Sequence, residues 1–176
     1  HSGPCLIVGN AFCLPDDLAR ARAIFGDCPA IAVNGAAREV KALALFSAHP
    51  WRFVEPGYEW IRHQRRLFGP GFTVHGSSRE RNGNPLHVDY WWEQLSGTGG
   101  GSAWGARKVA SFVGFELVIL VGSPLVPGNY AGHRPGMAMT KGKVVDGYAD
   151  EIAADVAWHG GCFSMSGRTR EILGAP

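Results

Sequence analysis

Apolar residues in this chain fall into short runs, each cut by glycine or by a polar turn. Cys5-Leu6-Ile7-Val8, Ala30–Val33, Leu43–Phe46, Phe72–His75, Leu117–Val121 and Cys162–Met165 read as strands. The runs are apolar rather than alternating, which suits strands covered on both faces. Helical spacing separates them. In Pro15–Phe25, Leu18, Ala21 and Phe25 share a face, and Asp16 and Asp17 suit the positive end of the helix. Ala36–Lys41 reads as a short helix. In Pro56–Phe68, Trp60, Ile61, Gln64 and Phe68 lie near one face and Arg62, Arg65 and Arg66 near the other. That basic cluster reads first as a solvated face, with a phosphate-reading role as the alternative. Ala103, Ala106, Ala110 and Val113 mark another helix, and Tyr148, Ile152 and Val156 a further one over Asp146–Trp158, with Asp146 as its cap. Thr169–Leu173 is a last short segment. Val88–Trp92 is aromatic, and core packing accounts for it better than a substrate platform.

Strands alternating with helices predict one α/β domain over residues 4–176. It is a doubly wound, Rossmann-like domain, with a mainly parallel sheet and helices on both faces. Three turns carry the candidate chemistry. Gly9-Asn10 follows the first strand, and Asn34-Gly35 follows the second. Ser96-Gly97-Thr98-Gly99-Gly100-Gly101-Ser102 opens a helix. Backbone N–H groups and a helix N-terminus converge at such turns and favour anions. The G-x-G-x-x-G fingerprint is absent, which points to a mononucleotide rather than a dinucleotide, and no G-K-[ST] follows the third turn. Gly76–Pro85 reads as an exposed loop. Residues 123–145, rich in Gly and Pro and without periodicity, read as a loop or lid.

Composition narrows the partners. The net charge of +2 gives no case for nucleic acid, and no apolar run approaches the length of a membrane span. Cys5, Cys13, Cys28 and Cys162 form no C-x-x-C pair and no zinc spacing. They read as free thiols in a reducing, cytoplasmic setting. There is no Asp-x-Asp pair, so neither a metal nor a bound cofactor is expected. A homo-oligomer is left open.

Among the histidines, His133 stands beside Arg134 in the glycine-rich loop, where a base near neutral pH meets solvent. His49 sits at the end of a predicted strand, and strand carboxyl ends line the ligand crevice of α/β sheets. His87-Val88-Asp89 suits a surface pair, and His159 before Gly160-Gly161 suits a helix C-terminus.

Three segments, IVGNAFCL, AIAVNGA and SGTGGGSAWGARKVASFVGFELVILVG, resemble the bacterial sialyltransferases that use CMP-sialic acid, and related Rossmann-like domains. The resemblance implies a glycosyltransferase using a CMP-sugar or a similar nucleotide donor. It implies that Gly9, Asn10, Asn34 and Gly35 hold the nucleotide, and that Thr98, Gly99, Gly100 and Ser102 line the same cleft. Ser123 and Tyr130 follow the Leu117–Val121 strand, and Tyr130 matches a phosphate-binding tyrosine. His133 takes the place of the general base. Tyr130 or Arg134 would stabilise the departing phosphate. The chain departs from the family in reading Gly122-Ser123-Pro124 where G-x-D is usual, and in being short. The related domains supply two alternatives: a pterin diphosphokinase-like phosphotransferase using ATP, or a non-catalytic nucleotide-binding domain, phage-borne in one variant of that reading.

Overall fold

A computed structural model describes residues 3–50, 54–77, 88–95, 99–128 and 142–176, with side chains from residue 59 in the second helix and from residue 144 in the fourth. The strands are β1 (Pro4–Val8), β2 (Ala30–Val33), β3 (Ala44–Ser47), β4 (Thr73–Gly76), β5 (Tyr90–Trp91), β6 (Leu117–Val121) and β7 (Cys162–Ser164). The helices are α1 (Leu14–Phe25), α2 (Val54–Phe68), α3 (Gly101–Phe112), α4 (Gly142–Ala154) and α5 (Gly167–Leu173). All seven strands join one sheet in the order β5-β4-β3-β2-β1-β6-β7, and every neighbouring pair is parallel. This is the expected doubly wound α/β arrangement.

Side chains alternate across each strand and so feed two cores. Leu6, Val8, Ala30, Ala32, Leu45, Val74, Ile119 and Val121 meet Leu14 and Ala21 of α1 and Trp60 and Ile61 of α2. On the other face, Cys5, Ile7, Ile31, Val33, Phe46, Val118 and Leu120 meet Trp104, Ala106, Val109 and Ala110 of α3 and Ile152 of α4. The small residues of α3 allow close approach: a Cβ on Gly105 would stand 2.8 Å from the Phe46 ring.

The order places β1 between β2 and β6. The chain leaves β1 toward β2 and leaves β6 toward β7, so the connections diverge at the carboxyl ends of β1 and β6. In open α/β sheets, ligands bind at such switch points. Between β2 and β3 the crossover is a 3-10 turn, Asn34–Arg38, in place of the predicted Ala36–Lys41 helix. Asn34 enters it with φ 50°, a left-handed conformation that Asn tolerates better than most residues. With no full helix there, Gln64 of α2 clamps the connection. Its Oε1 accepts from the Ala42 amide at 2.8 Å, and its Nε2 donates to the carbonyls of Ala37 at 2.6 Å and Val40 at 2.5 Å. The short crossover also leaves an open groove of about 440 Å³ between α1 and α2, floored by Leu6, Val8 and Ala30.

Two elements differ from the sequence reading. Val88–Trp92 supplies the edge strand β5. The Asp89 amide donates to the Val74 carbonyl at 2.8 Å, and its carboxylate accepts from the Val74 amide at 2.7 Å. Trp91 then packs into one core and Trp92 into the other, as the packing reading expected. The fourth helix begins at Gly142 rather than at Asp146 and ends at Ala154, with Val156–Trp158 as a separate 3-10 turn. Asp146 is therefore no cap; it pairs with Arg168. No helix among the described residues is long and apolar enough to cross a membrane.

Candidate functional site at the carboxyl edge

The β1 and β6 turns meet at backbone level. The Gly9 amide donates to the Val121 carbonyl at 2.8 Å, and the Ala11 amide to Gly122 at 3.0 Å. A Cβ on Gly9 would lie 2.2 Å from Ser123 Oγ and 2.5 Å from the Gly122 carbonyl. Gly122 has φ 61°, and a Cβ there would lie 2.5 Å from the Gly9 carbonyl. Both positions need glycine, and the reason is this mutual approach.

Asp17 fixes the junction from below. This side chain is fully buried. Its Oδ2 accepts from the Gly122 amide at 3.0 Å and from Ser166 Oγ at 2.6 Å, and its Oδ1 from Arg20 at 2.6 Å. Cys13 Sγ also points at Oδ2, at 3.4 Å. Pro15 stands in the first turn of α1 with Asp16 and Asp17. That end of the helix therefore carries its own negative charge.

The Asn10 and Asn34 turns are adjacent. Asn10 Nδ2 lies 3.1 Å from the point where a Gly35 side chain would begin, and Arg38 Nη2 lies 3.9 Å from the same point. Asn10 Oδ1 and Asn34 Oδ1 are both buried, and neither has a hydrogen-bond partner. A buried acceptor left unmade costs about 1–3 kcal/mol, so both oxygens call for a donor.

The third turn is differently disposed. Glu151 of α4 reaches the start of α3, where its Oε2 accepts from the Gly100 amide at 2.6 Å. A Cβ on Gly99 would lie 2.3 Å from the Glu151 carboxyl carbon. A Cβ on Gly101 would meet the Tyr148 ring at 3.2 Å. An internal carboxylate thus sits at the helix N-terminus that the sequence reading assigns to a phosphate. Ser102 lies partly exposed in the first turn of α3.

Of the expected site residues, the structure brings together Gly9, Asn10, Asn34, Gly35 and Ser123. Gly99, Gly100 and Ser102 line the start of α3, where the three glycines face α4 or the α3 side chain Trp104. Thr98, Tyr130, His133 and Arg134 lie outside the described residues, as does His87. His49 follows β3, its amide donating to Ser47 Oγ at 3.3 Å. His159 closes the helical segment as expected, its Nε2 lying 2.8 Å from the Ile152 carbonyl.

Sequence reading passed over Arg38 and Glu151. Neither belongs to a motif, and only the three-dimensional packing brings them to the site. Among the described residues, no group of three or more His, Cys, Asp or Glu side chains is placed to hold a metal ion. Fold and site together define a doubly wound α/β domain whose Asn10 and Asn34 turns are adjacent beside its switch point. Comparison with models of known protein families, with characterised proteins and with solved structures found no match.

Proposed function

We propose that the chain binds a mononucleotide at the carboxyl ends of β1 and β2, and that it transfers a group from a CMP-sugar or a similar donor. The observation that carries the reading is the pair of buried, unpartnered carboxamide oxygens of Asn10 and Asn34. Cytosine offers an exocyclic amine and ribose offers hydroxyls, and both are donors matched to these acceptors. On this reading, Gly35 keeps the space beside Asn10 clear, and Gly9 lets the β6 turn with Ser123 close against β1. His133 takes the proton of the acceptor hydroxyl as CMP departs.

Calorimetric titration with CMP and CDP tests the binding step. Asn10→Ala and Asn34→Ala are each expected to weaken binding about tenfold, the effect of one buried hydrogen bond. Absence of binding at millimolar CMP, or unchanged affinity in both variants, overturns the assignment. His133→Ala is expected to abolish transfer and leave CMP affinity unchanged. Transfer is expected to continue in excess chelator, measured as CMP release. Preference for ATP with Mg²⁺ over CMP would instead favour phosphoryl transfer.

A further inference from the structure

Arg38 ends the 3-10 turn of the β2–β3 connection and faces α2 across an open groove of about 490 Å³, which is lined by Arg38, Glu59, Arg62, His63 and Arg66. Arg62 and Arg66 are one helical turn apart, so they share a face. Like charges at that spacing oppose the helix. A third guanidinium, from a different element, adds to the repulsion. Among the described residues, Glu59 is the one carboxylate in the lining. No ion pair among the described residues neutralises any of the three arginines. Arg65 lies on the same helix and is exposed, but it is not part of the groove. The positive charge is thus concentrated on one side of α2.

We propose that this groove binds the phosphate groups of a small phosphorylated ligand, through Arg38, Arg62 and Arg66. Guanidinium forks match phosphate oxygens two at a time, and three of them compensate a charge that one would not. The groove adjoins the carboxamide site, because Arg38 Nη2 and Asn10 Nδ2 flank the same point above Gly35. A ligand whose polar face meets Asn10 and Asn34 therefore extends its phosphates toward α2, away from the glycine turn that Glu151 fills. The link to a nucleotide rests on the function proposed above; anion binding in the groove does not.

Titration with inorganic pyrophosphate, and in parallel with cytidine and CDP, tests the proposal. Arg38→Ala and the double variant Arg62→Ala/Arg66→Ala are expected to bind pyrophosphate at least about tenfold more weakly, and Arg65→Ala as the parent does. All four side chains are exposed, so matched thermal melts confirm that the variants fold. In the parent CDP is expected to bind more tightly than cytidine, and Arg38→Ala is expected to remove that advantage while leaving cytidine affinity unchanged. Equal weakening by Arg65→Ala, unchanged pyrophosphate affinity in Arg38→Ala, or failure of the parent to bind pyrophosphate overturns the groove. If pyrophosphate binds through Arg38 while neither cytidine nor CDP binds, the groove stands and the nucleotide reading falls.

Discussion

Asp17 is the most constrained residue of the site region. One carboxylate accepts hydrogen bonds from the start of the β6 turn, from the segment after β7 and from its own helix. Asp17→Ala leaves the buried Gly122 amide and the Ser166 hydroxyl without their acceptor. The expected loss is about 2–4 kcal/mol in urea unfolding, with Ser166→Ala losing less. A second residue-scale effect belongs to His75. Its Nδ1 accepts from Trp92 Nε1 at 2.9 Å, and its Nε2 lies 2.9 Å from Thr73 Oγ1. Burial lowers its pKa from 6.5 to about 4, against the opposing pull of Asp89. The folded protein then resists a proton that the unfolded chain accepts. Stability is complete above the unfolded value near pH 6.5 and is lost as pH falls toward about 4, with a limiting slope of about 1.4 kcal/mol per pH unit. Urea midpoints at pH 7.5 and pH 5 measure it, and His75→Gln is expected to flatten the difference. Sequence reading marked Asp17 only as a helix-end acid. Its partners lie 105 and 149 residues away, and no local pattern encodes them.

At the scale of elements, the glycine turn before α3 is the instructive case. Sequence alone made it an anion site, and the physical reasoning holds: its free amide does take a carboxylate. The carboxylate comes from α4, which no local signal places there. Glu151→Gln removes the charge facing the helix dipole and is expected to cost about 0.5–1 kcal/mol in thermal unfolding. It also separates two locations for phosphate. If the glycine turn holds phosphate, removing the internal charge strengthens pyrophosphate binding. If the arginine groove holds it, affinity stays as it was, and the second outcome is expected here. Strand positions were legible as short apolar runs cut by glycine or a polar turn, and helix positions because apolar residues recur at helical spacing. The β2–β3 crossover was not, since Asn34–Arg38 is too short for a period and Asn34 takes a left-handed conformation. Nor was β5, whose two residues, Tyr90–Trp91, carry no alternation.

For the whole molecule, the α/β class followed from the alternation of elements, whereas the strand order came only from the structure. Sequence cannot say that β6, more than a hundred residues downstream, lies against β1. The order decides which turns are neighbours; Asn10 and Asn34 follow adjacent strands, whereas the meeting of Arg38 with Arg62 and Arg66 depends on how α2 packs and was not legible. The C-terminal segment is bound into this plan. Thr169 Oγ1 donates to the Ser123 carbonyl at 2.8 Å, and the Ser164 amide to Gly174 at 3.1 Å. Truncation before Met165 is therefore expected to abolish cooperative thermal unfolding, with loss of the sharp transition seen by circular dichroism.

The reach of Asp17 has a consequence in time. A ribosome delivers a chain from its N-terminus, and α1 emerges long before Gly122 and Ser166. Until Gly122 and Ser166 are made, the Asp17 carboxylate stays in water, because the groups that let it be buried do not yet exist. The β1–α1–β2 unit is made before β6 and β7 and thus closes only after them. The nascent chain waits on Ser166, 149 residues behind Asp17, for the innermost contact of α1.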